Sequence, residues 1–127
     1  MHRALFIFAA FAIVACGSKK PTAAEVCSAL EKAGEVKSCA AATPGGIGAG
    51  ASAKAQADLP SAAGKTCQIL QFASPEAYDG AAKAFEGAAM LVGPHRYGNR
   101  EKLVYVQCSS ELAADHGAKI KGVVDAL

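Results

Sequence analysis

The chain has no tryptophan, and beyond residue 16 its only aromatic side chains are Phe72, Phe85, Tyr78, Tyr97 and Tyr105. Large apolar groups are scarce as well: of the 52% of residues that are hydrophobic, 30 residues are alanine, and from residue 16 onward Val, Ile, Leu, Met and Phe number 20. A core that thin is typical of small exported domains that add covalent staples. Charge of one sign is also missing, with 13 basic against 11 acidic residues and no like-charged run. No field suited to nucleic acid arises from such a balance. Nor is there an apolar run of the 18 or so residues that a membrane-spanning helix requires.

What is present begins at the amino terminus. Met1, His2 and Arg3 precede twelve apolar residues, Ala4 to Ala15. As a helix this run is about 18 Å long against a hydrocarbon core of roughly 30 Å. A short apolar segment with a basic start and small residues at its end is the pattern of a secretory signal. Its last residues, Ile13-Val14-Ala15-Cys16, read branched aliphatic, aliphatic, small, cysteine. This resembles the lipobox of bacterial lipoproteins. The resemblance covers residues 1–20. It implies cleavage before Cys16, a diacylglycerol on its thiol, an acylated new amino terminus and attachment to a membrane through those chains. More than one acyl chain is what stable anchoring needs. Gly17 stands where an aspartate would resemble an inner-membrane retention signal, so the outer membrane, facing the periplasm, is the expected address. Residues 1–15 are then a signal peptide, 16–21 the lipidated cysteine and a polar tether, and 22–127 one domain. A secreted soluble protein whose ordinary signal ends near a cysteine is the alternative.

With Cys16 lipidated, Cys27, Cys39, Cys67 and Cys108 remain, an even number in an oxidising compartment. Their gaps of 12, 28 and 41 residues lack the close pairs of a zinc site, so two disulfides are expected and no metal. Three pairings are possible. Cys27 and Cys39 lie in consecutive elements, and an antiparallel register of Cys67 with Cys108 also sets Ile69 against Val106. On the loop-entropy view, bridges 27–39 and 67–108 stabilise by roughly 3 and 4 kcal/mol.

The rest of the chain reads as short elements. Thr22 and Glu25 match a capping box, and Val26, Cys27, Leu30 and Ala33 continue at helical spacing to Gly34. "EVKSCAA" reads as a strand ended by Thr43-Pro44-Gly45-Gly46. From Ala51 to Leu59 small apolar and polar residues alternate strictly, which predicts a strand despite alanine's poor propensity. "TCQILQF" is its expected hairpin partner. Ser74-Pro75-Glu76 starts a helix with Tyr78, Ala81, Phe85, Ala89 and Val92 on one face, ended by Gly93-Pro94. Gly98-Asn99 predicts a hairpin turn, and Ser109 or Ser110 a cap for a last helix with Leu112, Ile120, Val123, Val124 and Leu127 inward. The order α-β-β-β-α-β-β-α implies an α+β fold: a mainly antiparallel sheet of about four strands, with three helices on one face.

Chemistry-bearing motifs are few. "GIGAGA", residues 46–51, fits the dinucleotide fingerprint in letters, but a strand pattern follows it and no acid lies where a ribose would need one, so a flexible loop is expected. No G-x-S-x-G elbow occurs, the carboxylates stand singly, and His116 lies on the apolar stripe of the last helix as a packing residue. No cofactor is implied. One cluster remains: His95, Arg96, Tyr97, Asn99 and Arg100 around the predicted turn. Arginine and tyrosine favour interfaces and anions, so an acidic envelope component or protein is the expected partner there. The sequence therefore points to a small lipid-anchored envelope protein, a binding or structural module and not an enzyme. The rival is a hydrolase or redox protein whose site only the fold assembles.

Overall fold

The structure is a computed structural model that describes residues 19–127; the expected signal segment and Cys16 lie outside the described residues. Thr22 opens the fold as predicted. Its Oγ1 accepts from the amide of Glu25 at 3.1 Å while the Glu25 carboxylate accepts from the amide of Thr22 at 3.3 Å, and helix α1 runs Ala23–Lys32. Gly34, at φ +78°, lets the chain leave α1 in a conformation that strains other residues. Strands β1 (Lys37–Ala42), β2 (Ala53–Asp58) and β3 (Thr66–Gln71) follow, then helices α2 (Pro75–Gly87) and α3 (Ala89–Val92), strands β4 (Arg96–Asn99) and β5 (Val104–Cys108), and helix α4 (Ala114–Asp125).

All five strands join one antiparallel sheet in the order β1-β2-β3-β5-β4. The α+β class thus holds; the five strands match the predicted order of elements and exceed the expected sheet of about four, and the short α3 is one helix more. Alternation in β2 outweighs alanine's propensity because Ala55, Ala57 and the following Leu59 all go inward, each 3% exposed or less. Cys67 stands opposite Cys108 and Ile69 opposite Val106. Both bridges form as paired above, Cys27–Cys39 and Cys67–Cys108.

Helices cover both faces of the sheet, not one. On the first face Val26, Cys27 and Leu30 of α1 and Ile120 and Val124 of α4 pack against Ala55, Ile69, Val104 and Val106. On the second, Tyr78, Ala81 and Phe85 of α2 pack against Leu70, Phe72, Leu103 and Tyr105, with Phe85 stacked on Tyr105 at 4.8 Å between ring centres. The signal for two-sided burial is in β3 and β5, where Ile69-Leu70 and Val104-Tyr105-Val106 are consecutive buried residues and not an alternation.

Four local expectations are corrected. The helix from Pro75 does not continue to Val92: the chain turns at Ala88 (φ −104°, ψ 20°), after Gly87, and α3 is a separate turn. Gly98 and Asn99 are strand residues, and the hairpin turn is 100–103, held by Lys102 N–H donating to Asn99 Oδ1 and by Leu103 N–H donating to Arg100 O. The last helix starts past both serines, because a turn closed by Leu112 N–H on Ser109 O first carries Leu112 into the core. The glycine-rich stretch is no free loop; Gly46–Gly48 forms a 3₁₀ turn with Gly48 buried against Leu70.

Candidate functional site

The five residues of the expected partner-binding cluster separate onto different faces. His95 is buried, 8% exposed. Its Nε2–H donates to Leu112 O at 2.6 Å, so Nδ1 accepts from the hydroxyl of Tyr97 at 2.8 Å. Tyr97 points to the α4 side of the sheet, and burial raises its hydroxyl above the usual range. Asn99 donates to Val124 O at the end of α4. Arg96 and Arg100 lie over α2: Arg96 bonds Gly93 O and the carboxylate of Glu86, and Arg100 makes two bonds to Asp79, 2.8 and 3.0 Å long. Those bonds, first, and the guanidinium charge, second, hold the Asp79 carboxyl below the usual carboxylate range. An acidic partner at either arginine would therefore displace a carboxylate of the protein's own.

A polar pair that the sequence conceals lies elsewhere. Glu35, read above as a strand residue, is 6% exposed, and its Oε2 lies 3.0 Å from Nδ1 of His116. The two are 81 positions apart and meet where the α1–β1 connection packs on α4. His116 is thus more than a packing residue. A carboxylate that orients Nδ1 of an imidazole recurs in acid–base sites, where the other ring nitrogen faces a nucleophile. Among the described residues no hydroxyl or thiol is bonded to that ring. No three His, Cys, Asp or Glu residues among them are grouped to hold a metal ion, and no described helix is long and apolar enough to cross a membrane.

The second sheet face carries a row of polar side chains. Register places Ala40, Gln56, Gln68, Gln107 and Arg96 side by side in one row across all five strands. Facing side chains in such a row are within reach of each other, and Gln68 donates to Gln107 at 2.9 Å. Gln107 in turn donates to Val92 O of α3. Helix α2 covers the neighbouring row, where Leu70 and Tyr105 stand, and leaves Gln56 exposed. Among the described residues Gln56 has no side-chain partner, so its amide can both donate and accept toward a neutral polar group. The signal for this row was legible as a glutamine in each of three otherwise apolar or alternating segments, but not the register that aligns them.

One shallow depression lies along α1, a second between α1 and β1, and a third beside α3. The one between α1 and the edge strand β1 encloses about 300 Å³ and is lined by Ala24, Ser28, Glu31, Cys39, Ala40 and Ala55 among others. Comparison with known protein families, with curated proteins and with solved structures gives no match to this chain.

Proposed function

We propose that the chain is a small lipid-anchored protein of the bacterial cell envelope, held to the membrane by acyl chains on Cys16, that works as a binding or structural module. The observation that carries this reading is where folding begins. The capping box starts the domain at Thr22, only six positions after the cysteine of the Ile13-Val14-Ala15-Cys16 motif. Six residues reach at most about 20 Å, so an acylated Cys16 keeps the start of the domain within that distance of the membrane surface. Two disulfides that close a domain with few large apolar residues fit an oxidising compartment. For a binding role, the amide row supplies uncharged donors and acceptors on the half of the sheet that α2 leaves open, with Arg96 at its end already neutralised by Glu86.

The substitution Cys16→Ser tests the anchor without touching the described fold. The variant is expected to move from the membrane pellet to the soluble periplasmic fraction and to lose incorporated labelled fatty acid, while both disulfides still form. Retention of the variant in the membrane with undiminished label would sink the proposal.

A further inference from the structure

The two disulfides differ in their surroundings, and the difference assigns them different chemistry. Cys67 and Cys108 join adjacent strands in the middle of the sheet, are 1% and 0% exposed, and lie in the core beneath α1 and α4. Cys27 is likewise buried at 0%, but its partner Cys39 is only partly buried, on β1, one of the two edge strands. Cys39 also lines the depression between α1 and β1, whose other walls are the small side chains of Ala24, Ser28, Ala40, Ala41 and Ala55 together with Glu31. Exchange requires a thiolate to reach one sulfur of the bridge, so access decides which bridge reacts.

We propose that Cys27–Cys39 is a thiol–disulfide exchange site, entered from the depression at Cys39 by a dithiol, and that Cys67–Cys108 is a closed structural bridge. One thiolate of the dithiol bonds to Cys39 Sγ as the Cys27–Cys39 bond breaks, and Cys27 leaves as a thiolate that takes up a proton. The second thiol of the reductant then attacks the mixed disulfide, releasing Cys39 as a thiol. The dithiol ends as its own disulfide, and two electrons and two protons have passed to the protein. Helix α1 need not detach when this happens, because Val26 and Leu30, both 0% exposed, still hold it to the sheet. The surface that β1 presents at the sheet edge is released from its covalent link to α1, which makes the site one where redox state governs the freedom of the edge strand. The inference rests on the bridges alone and stands or falls separately from acylation of Cys16.

The test is timed reduction of the folded, oxidised full chain by dithiothreitol, quenched with iodoacetamide and read by peptide mapping. Cys27 and Cys39 are expected to label at least about tenfold sooner than Cys67 and Cys108, with the far-ultraviolet circular dichroism retained after the first bridge opens. Ser28→Phe, at an exposed position on the wall of the depression, is expected to slow opening of the first bridge several-fold and leave the second unchanged. Simultaneous opening of both bridges, earlier labelling of Cys67 and Cys108, collapse of the dichroism with the first bridge, or an unchanged rate in Ser28→Phe would each overturn the assignment.

Discussion

Gly117 has no side chain because His95 and Tyr97 occupy the space. A Cβ built there would stand 2.7 Å from His95 Nδ1 and closer still to the Tyr97 hydroxyl, the two groups whose hydrogen bonds tie β4 to Leu112. Alanine in place of a helical glycine gains about 0.5–1 kcal/mol from chain entropy, whereas forcing a methyl into a filled core costs typically 1–3 kcal/mol. Overpacking therefore wins. Gly117→Ala should melt several degrees below the parent, while Gly122→Ala in the same helix, where nothing lies within 4 Å of the added methyl, should melt slightly above it. Equal melting temperatures for the two variants would show that the packing argument is wrong. At this scale the sequence was partly legible. The capping box at Thr22 is local chemistry and appears intact. The roles of His95, Glu35 and His116 depend on partners 17 and 81 positions away, and no local pattern announces them.

Elements were legible where periodicity was strong and misread where two turn signals compete. Alternation located β2, and β-branched content located β3. Ala89 and Val92 continue the apolar spacing of the helix from Pro75 past its true stop, although Gly87 weakens the helix before them. Two serines precede α4 and point to a start earlier than its true one. Its true cap position is held by Ala113, whose extended backbone (φ −67°, ψ 148°) suits a cap but whose methyl accepts nothing. Aspartate there gives the first-turn amides an acceptor and adds a negative charge at the positive end of the helix dipole, together worth about 1 kcal/mol. Ala113→Asp is thus expected to raise the melting temperature by about 4 °C, measured by calorimetry near neutral pH. A lower melting temperature would mean that α4 begins elsewhere.

For the whole molecule, sandwiching the sheet between helices is what the thin core requires. The few large side chains must serve two faces, and the aromatic groups concentrate under α2. All three tyrosines of the chain have hydroxyls raised above their usual range, chiefly by burial. A folded-state value raised above the unfolded one gives stability that is fully present below about pH 10 and is lost as pH rises through the folded values. Tyrosinate absorbance should therefore stay low past pH 10 and rise together with loss of far-ultraviolet circular dichroism. A smooth rise centred on pH 10 in a protein that remains folded would contradict the packing described. The α+β class, the two bridges and their pairing were readable from spacing and register. The amide row was not, because three glutamines from strands 12 and 39 positions apart become neighbours only through the strand order.

The central claim is that Cys16 is the first residue of the mature protein and carries lipid. Peptide mass spectrometry of the amino-terminal fragment, from protein extracted out of bacterial membranes with detergent, tests it most directly. The expected result is a fragment that begins at Cys16, lacks residues 1–15 and bears the mass of a diacylglycerol and an amide-linked acyl chain. An unmodified amino terminus that begins after residue 16 would contradict it.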